Sequence, residues 1–289
     1  MYCSKMKLET LVQIANQAKT NAQKNRVGNA LFKLMDDIEC NPAKFLYKKN
    51  KDTLQITEGV NTLGEGAFGA VFYGCLDNEC RTRVAIKFSK KSLKSEYVIG
   101  KKLAELGVAP RMYRYGYCPS KKMEFIYYEY ASHGSLDDYV DKYKNFLKAS
   151  DYKAIVYQVY SLLRKVYKKY PSYKHYDLHA GNVLVNKERG KMRVLLTDFG
   201  LSEMKGVRSP LLKKAWRRDQ APDALVFTYY LGKALKRIPP TAVSFFQYVG
   251  ESEYFAKDTS MKVIADFTRH PFMKGAHKSV LRVPPAPVI

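Results

Sequence analysis

The stretch His175-Tyr176-Asp177-Leu178-His179-Ala180-Gly181-Asn182, followed by Thr197-Asp198-Phe199-Gly200, decides the reading of this chain. Between the two runs lies a hairpin pattern: Val183-Leu184-Val185, turn residues from Lys187 to Lys191, then Val194-Leu195-Leu196. Asp177 suits a group that accepts a hydroxyl proton or orients a nucleophile. Asn182 and Asp198 supply hard oxygen ligands, which magnesium prefers to nitrogen or sulfur. Any one of these residues alone reads as a solvated loop position; the set, in this order, reads as a site.

Upstream, Gly64-Glu65-Gly66-Ala67-Phe68-Gly69-Ala70-Val71 is a G-x-G-x-x-G-x-V run. Glycines let backbone amides approach phosphate oxygens with no side chain in the way. A dinucleotide fold would place a helix after such a run, whereas strand-like Ala70-Val71-Phe72-Tyr73 follows here. A plain glycine hairpin stays open as the alternative. Next comes Val84-Ala85-Ile86-Lys87, whose alternation puts Ala85 and Lys87 on one strand face. A small side chain there leaves room for a flat base, and the lysine can neutralise phosphate; the alternative is a surface lysine on an edge strand. Glu96, in the first turn of the following helix, could hold that ammonium in an ion pair, with Glu105 the competing candidate.

The whole chain of 289 residues has 50 Lys plus Arg against 27 Asp plus Glu, a formal charge of +23, with 46% apolar and 13% aromatic residues. That apolar content excludes global disorder. The length allows one large domain or two modest lobes. So basic a chain is drawn to polyanions, and composition does not choose among nucleic acid, anionic membrane, nucleotide phosphates and acidic protein segments. No stretch approaches the ~18 uncharged apolar residues of a membrane span. Met1 to Lys7 leads into a polar amphipathic segment, unlike the apolar core of a secretion signal. The five cysteines (Cys3, Cys40, Cys75, Cys80 and Cys118) are scattered, with no second pair to complete a zinc site. They are expected to be reduced thiols of an intracellular protein.

Four segments follow from the patterning. Residues 1–53 read as a helical extension, with apolar spacing from Leu8 to Ala18 and from Leu31 to Ile38, stopped at Asn41-Pro42. Residues 54–131 are strand-rich, with strands around Ala70 to Tyr73, Arg83 to Phe88, Met112 to Tyr117 and Glu124 to Tyr130. A helix from Ser95 to Leu106, stopped by Gly107 and Pro110, interrupts them. Residues 132–272 turn helical: Ser135 to Val140, Asp151 to Tyr170 capped by Ser150 or Asp151, Asp219 to Leu235, and weaker signals up to Phe267. Residues 273–289 form an extended tail containing Pro284-Pro285-Ala286-Pro287. Two lobes with a cleft between them are expected.

With these residues in hand, the chain resembles the protein-kinase superfamily from roughly Leu54 to Phe272. The resemblance implies an α+β, bilobal protein-kinase-like fold with a small β-rich N-lobe and a mostly helical, truncated C-lobe. It implies ATP and Mg2+ as cofactors. Gly64, Glu65, Gly66, Ala67, Phe68 and Gly69 would form the loop over the phosphates, and Val71 and Ala85 would sandwich the adenine. Lys87 would contact the α- and β-phosphates and pair with Glu96. Asp177 would be the catalytic acid/base, with Asn182 and Asp198 as metal ligands. Tyr127-Tyr128-Glu129-Tyr130-Ala131 with Gly134-Ser135-Leu136 resembles the hinge, where the backbones of Glu129 and Ala131 would bind the adenine edge. Asp219 resembles the buried aspartate that anchors the catalytic loop.

Departures from the family pattern are equally informative. Lys87 and Glu96 are only nine positions apart. Tyr176 stands where the family has the arginine that reads a phosphorylated activation loop, so switching by loop phosphorylation is not expected. No A-P-E follows Asp198, and Asp219 comes 21 positions later, a truncated activation segment. His179 replaces the usual lysine, giving D-L-H-x-G-N, a variant similar to aminoglycoside and choline kinases, the RIO group and some kinases of large DNA viruses. His179 could hydrogen-bond the γ-phosphate or a metal-bound water, or could simply pack.

The expected activity is transfer of the ATP γ-phosphoryl group to Ser/Thr hydroxyls of protein substrates, since the arginine-rich loop typical of tyrosine kinases is missing. A small-molecule phosphotransferase and a pseudokinase or nucleic-acid-binding scaffold are the alternatives. Basic runs, notably Arg208, Lys213, Lys214, Arg217 and Arg218, suit acidic or already phosphorylated protein substrates or nucleic acid, and equally read as a solvated surface. The expected location is intracellular, in cytoplasm or nucleus, or in the virion for a viral chain.

Overall fold

The computed structural model describes residues 47–50, 53–56, 62–66, 69–75, 83–118, 122–212, 221–234, 239–254 and 259–284. The expected N-terminal helices, Ala67 and Phe68, the basic run from Lys213 to Arg218, and Asp219 lie outside them. The chain divides into two compact units. One contains the described residues up to Leu93 together with Met112–Tyr130; the other contains Lys94–Arg111 and the described residues from Ala131 onward.

In the first unit, β1 (Tyr47–Asn50) pairs antiparallel with β2 (Thr53–Ile56), so residues 47–50 are strand and not the helix expected up to residue 53. The main sheet has five antiparallel strands: β3 (Thr62–Gly66), β4 (Gly69–Cys75), β5 (Arg83–Ser89), β6 (Met112–Cys118) and β7 (Met123–Glu129), in the order β3-β4-β5-β7-β6. Strand β5 is central, and every residue from Val84 to Ser89 is buried. Val84, Ile86 and Phe88 alternate onto one face and pack with Cys118, Phe125 and Tyr127. Each such side chain contributes about 1.5–3 kcal/mol on burial.

The opposite face is set by register. Val71 lies directly across from Lys87, Ile126 pairs with Lys87 on the other side, and Tyr128 pairs with Ala85. Val71, Ala85 and Lys87 therefore share one face, away from the aromatic cluster. Gly69 has φ +136°, and a Cβ there would sit 1.9 Å from the Phe88 carbonyl oxygen. Only glycine fits that close approach. Cys118, buried in β6, is disulfide-bonded, which corrects the expectation of uniformly reduced thiols. The side chains of the other cysteines lie outside the described residues.

In the second unit, α1 (Lys94–Glu105) buries Glu96, Ile99, Gly100 and Leu103. Gly107, at φ +66°, ends it by donating to the Ala104 carbonyl while Val108 donates to that of Leu103. Ser135 caps α2 (Leu136–Tyr143) by accepting from the Asp138 amide. Helix α3 (Ala149–Lys169) starts two residues earlier than expected. Asp151 accepts from the Lys148 amide at 2.8 Å from within the first turn, so neither Ser150 nor Asp151 is itself the cap residue.

Strands β8 (Val183–Glu188) and β9 (Lys191–Leu196) extend further than their apolar cores, closing through Arg189 and Gly190 at φ +48° and +76°. A short hairpin, β10 (Glu203–Met204) with β11 (Val207–Arg208), follows. Among the described residues the remaining α-helices are α4 (Asp223–Ala234), α5 (Pro240–Gly250) and α6 (Ser260–Arg269). No described helix is long and apolar enough to cross a membrane.

The tail fastens to the start of α3. Asp151, with its side chain fully buried, accepts from the Arg282 backbone and from its guanidinium, which also donates to the Phe146 carbonyl and stacks 4.4 Å from the Phe146 ring. Removing one partner of a buried pair strands the other charge. Arg282→Ala is expected to cost about 3 kcal/mol and to lower the melting temperature by roughly 6 °C or more. Arg282→Lys should recover only part of this in thermal denaturation, because an ammonium lacks the guanidinium fork.

Candidate active site

Asp177 lies on a loop that follows α3, and one buried carboxylate fixes the loop's entry. Asp223, at the start of α4, accepts the His175 amide through both oxygens, at 3.2 and 3.0 Å, and the Tyr176 amide at 3.2 Å. The Tyr167 hydroxyl donates to the same carboxylate and contacts Ser260 Oγ at 3.0 Å. Burial pushes the Tyr167 phenol well above its ordinary pKa, and the Asp223 charge adds to the effect. That phenol therefore stays protonated as a donor. The expected anchor, Asp219, lies outside the described residues, and Asp223 makes these bonds in its place. Pro222 was the available signal, because a proline marks where a helix can begin.

Beyond the anchor, the Asn182 side-chain amide donates to the Asp177 carbonyl at 2.8 Å and to Asp177 Oδ2 at 3.3 Å. This orients the acid and leaves Asn182 Oδ1 as the side-chain atom that could accept a cation. Asn182 enters β8, and Asp198 follows β9. Val183 pairs with Leu196, and the Thr197 amide donates to the Asn182 carbonyl at 3.0 Å, so the hairpin brings the two oxygen-bearing residues to one end. Asp198 itself is left-handed, at φ +54°, with Oδ1 accepting from the Gly200 amide.

A Cβ on Gly200 would lie 3.2 Å from Asp198 Oδ1 and 3.4 Å from Glu96 Oε2, so both carboxylates border that glycine. Glu96 is buried, whereas Glu105 is exposed at the far end of α1. An amide oxygen and a carboxylate with a second acid beside them fit a hard cation that keeps water and phosphate ligands. No group of three His, Cys, Asp or Glu forms a closed metal site among the described residues.

His179 is half-exposed. Its Nδ1 accepts from the Gly181 amide at 3.1 Å, and its Nε2 stands 3.8 Å from Asp177 Oδ1. A neutral ring with an accepting Nδ1 carries its proton on Nε2, facing the acid. His179 is therefore a shaped part of the loop and not a core packing residue.

The first unit holds the other candidates. Lys87 is 5% exposed on the central strand, so it is not an edge-strand surface lysine. Gly64 pairs with Val71, Glu65 with Ala70 and Gly66 with Gly69, so the glycine run is an antiparallel hairpin. Glu129 pairs with Val84 at the end of β7, and Ala131 begins the second unit, where its carbonyl accepts from Gly134.

An acid oriented by an amide thus lies on the loop before a hairpin that brings two oxygen-bearing residues to one end, an arrangement compatible with phosphoryl transfer. The family described as protein tyrosine and serine/threonine kinase matches residues 57–218, and the chain belongs to that family. The protein-kinase fold, with its small antiparallel sheet and helical region, is borne out, and the family uses ATP with a divalent cation.

Among its relatives, the L-type lectin-domain containing receptor kinase V.5 of Arabidopsis thaliana is 28% identical over 177 residues, covering 58% of this chain and 26% of that protein. The receptor kinase V.4 of the same type and organism is 29% identical over 178 residues, with the same coverage. Serine/threonine-protein kinase dst4 of Dictyostelium discoideum is 33% identical over 159 residues, covering 53% of this chain and 31% of that protein. The chain thus spans less than a third of the length of each.

Asp223→Ala is expected to leave the His175 and Tyr176 amides and the Tyr167 hydroxyl without their acceptor. At about 1–3 kcal/mol for each buried group, the loss should reach at least roughly 3 kcal/mol. Denaturant titration checks this, and Asp223→Asn should fall between the alanine variant and wild type.

Proposed function

We propose that the chain is a serine/threonine protein kinase that transfers the γ-phosphoryl group of Mg2+-bound ATP to protein hydroxyls. The observation that carries this reading is the Asp177 carboxylate, oriented by Asn182 and 41% exposed in its side chain, hence reachable by an acceptor. Asp177 accepts the hydroxyl proton and aims the nucleophile at phosphorus. Asn182 Oδ1 and Asp198 hold the cation, and the cation when bound neutralises charge on the phosphates. Lys87 steadies the α- and β-phosphates, and the glycine run at Gly64, Gly66 and Gly69 covers them. Val71 and Ala85 pack on the adenine, whose edge meets the backbones of Glu129 and Ala131. Most of the rate comes from positioning and charge neutralisation, with no covalent intermediate on the protein.

The serine/threonine preference is supported by the name of the dst4 relative, and a protein acceptor by the family. The exposed Arg208 and the chain's net charge of +23 favour acidic or previously phosphorylated segments. The D-L-H-x-G-N loop favours, as a second reading, a small-molecule acceptor.

Radiolabelled ATP offered with Ser, Thr and Tyr peptide libraries and, separately, an aminoglycoside should label Ser/Thr peptides. Lys87→Ala and Asp198→Ala should each lower kcat/KM by about 10²-fold or more. Label on the aminoglycoside alone, or on tyrosine alone, would overturn the assignment. Equal lack of turnover in wild type and variants would return the chain to a binding scaffold.

A further inference from the structure

Tyr176 precedes the catalytic acid and adopts φ +66°, a left-handed conformation that a side chain with a Cβ rarely takes. Such a backbone persists only when its surroundings over-determine it, and here it is held from two sides. Its amide donates to Asp223 Oδ1 at 3.2 Å, and its hydroxyl donates to Glu203 Oε1 at 2.6 Å. Glu203 lies in β10, on the segment that follows Asp198. Its own amide and carbonyl exchange hydrogen bonds with those of Lys174, both at 3.0 Å. On the neighbouring residue, Ser202 Oγ donates to the His175 carbonyl at 3.1 Å. Arg208 Nε stands 3.6 Å from Glu203 Oε2, and the Lys174 ammonium lies 6.0 Å from the Tyr176 ring. Residues 202–203 are thus bound along 174–176, immediately before Asp177.

From this geometry we infer that the Tyr176 hydroxyl and the Glu203 carboxylate form a built-in latch. The latch holds the segment after Asp198 in its working position without any phosphate, and both residues are positioning residues for phosphotransfer. The inference rests on the protein-kinase reading proposed above. An arginine at 176 is a cation and would await an anion supplied by modification. Tyrosine is a neutral donor, and its charged acceptor is already encoded in the chain. A hydrogen bond to a carboxylate is among the stronger kinds available to a neutral donor. A phosphate added beside Glu203 would meet like charge.

The test uses the full chain after phosphatase treatment, as wild type, Tyr176→Phe, Tyr176→Arg and Tyr176→Arg/Glu203→Gln. Steady-state kinetics give kcat and the KM for ATP, and hydrogen exchange is read across residues 198–208 and at the Lys174 amide. Phosphatase treatment should leave wild-type turnover unchanged. Tyr176→Phe is expected to lower kcat and to speed exchange by about tenfold each, the scale of one charge-assisted hydrogen bond, with the KM for ATP unmoved. Tyr176→Arg should restore both, since a guanidinium can donate to the same carboxylate, and Glu203→Gln should cancel that rescue.

Loss of wild-type turnover on dephosphorylation would overturn the latch. So would a phenylalanine variant with wild-type kcat and exchange, or an arginine variant no better than phenylalanine. If wild type transfers no phosphate to any acceptor, the kinase reading fails, while the exchange pattern across the same four proteins still decides for or against the latch.

Discussion

A carboxylate removed from water must be met by donors, and Asp223 meets its requirement with groups from two segments far away in the chain. The end of α3 supplies the Tyr167 hydroxyl, and the loop before Asp177 supplies two backbone amides. Once those amides are committed, the backbone at Tyr176 is committed too, and the direction in which Asp177 leaves the loop follows. The Asn182 amide then fixes the acid, and the β8–β9 hairpin carries Asp198 to the same end. The chemistry thus rests on a polar anchor inside an apolar unit, where the low local dielectric strengthens each bond and makes each omission costly.

Periodicity made most of the fold legible. Strands β4 to β9 and helices α1 to α3 fall within a few residues of their expected places, because alternation and three-to-four spacing report burial directly. Lys87 shows how far a short motif reaches: V-A-I-K predicted a shared face with Ala85, and the register adds Val71 to it. Features that depend on pairwise contact were not legible. Asp219 and Asp223 both stand before the same apolar run, and only the hydrogen bonds to His175 and Tyr176 separate them. Glu203 carries no local signal, since its partner lies 27 residues upstream. Five scattered cysteines could not announce that Cys118 is bonded.

Gly69 teaches a related lesson about motifs. Within G-x-G-x-x-G the three glycines look equivalent, and a phosphate-covering role explains them equally well. Yet Gly69 faces the Phe88 carbonyl so closely that strand packing alone excludes any other residue there. One residue type within a motif can thus answer two unrelated physical demands.

Helix α3, 21 residues and about 30 Å long, is clasped by a carboxylate bond at each end: Asp151 to Arg282, and Tyr167 to Asp223. Those partners lie 131 and 56 residues downstream. On the ribosome, therefore, the helix is made long before either clasp exists, and Asp151 must wait for nearly the last described residues to emerge. Neither end of the helix is fastened until its distant partner has been made, so the second unit leans on contacts that long-range closure must supply.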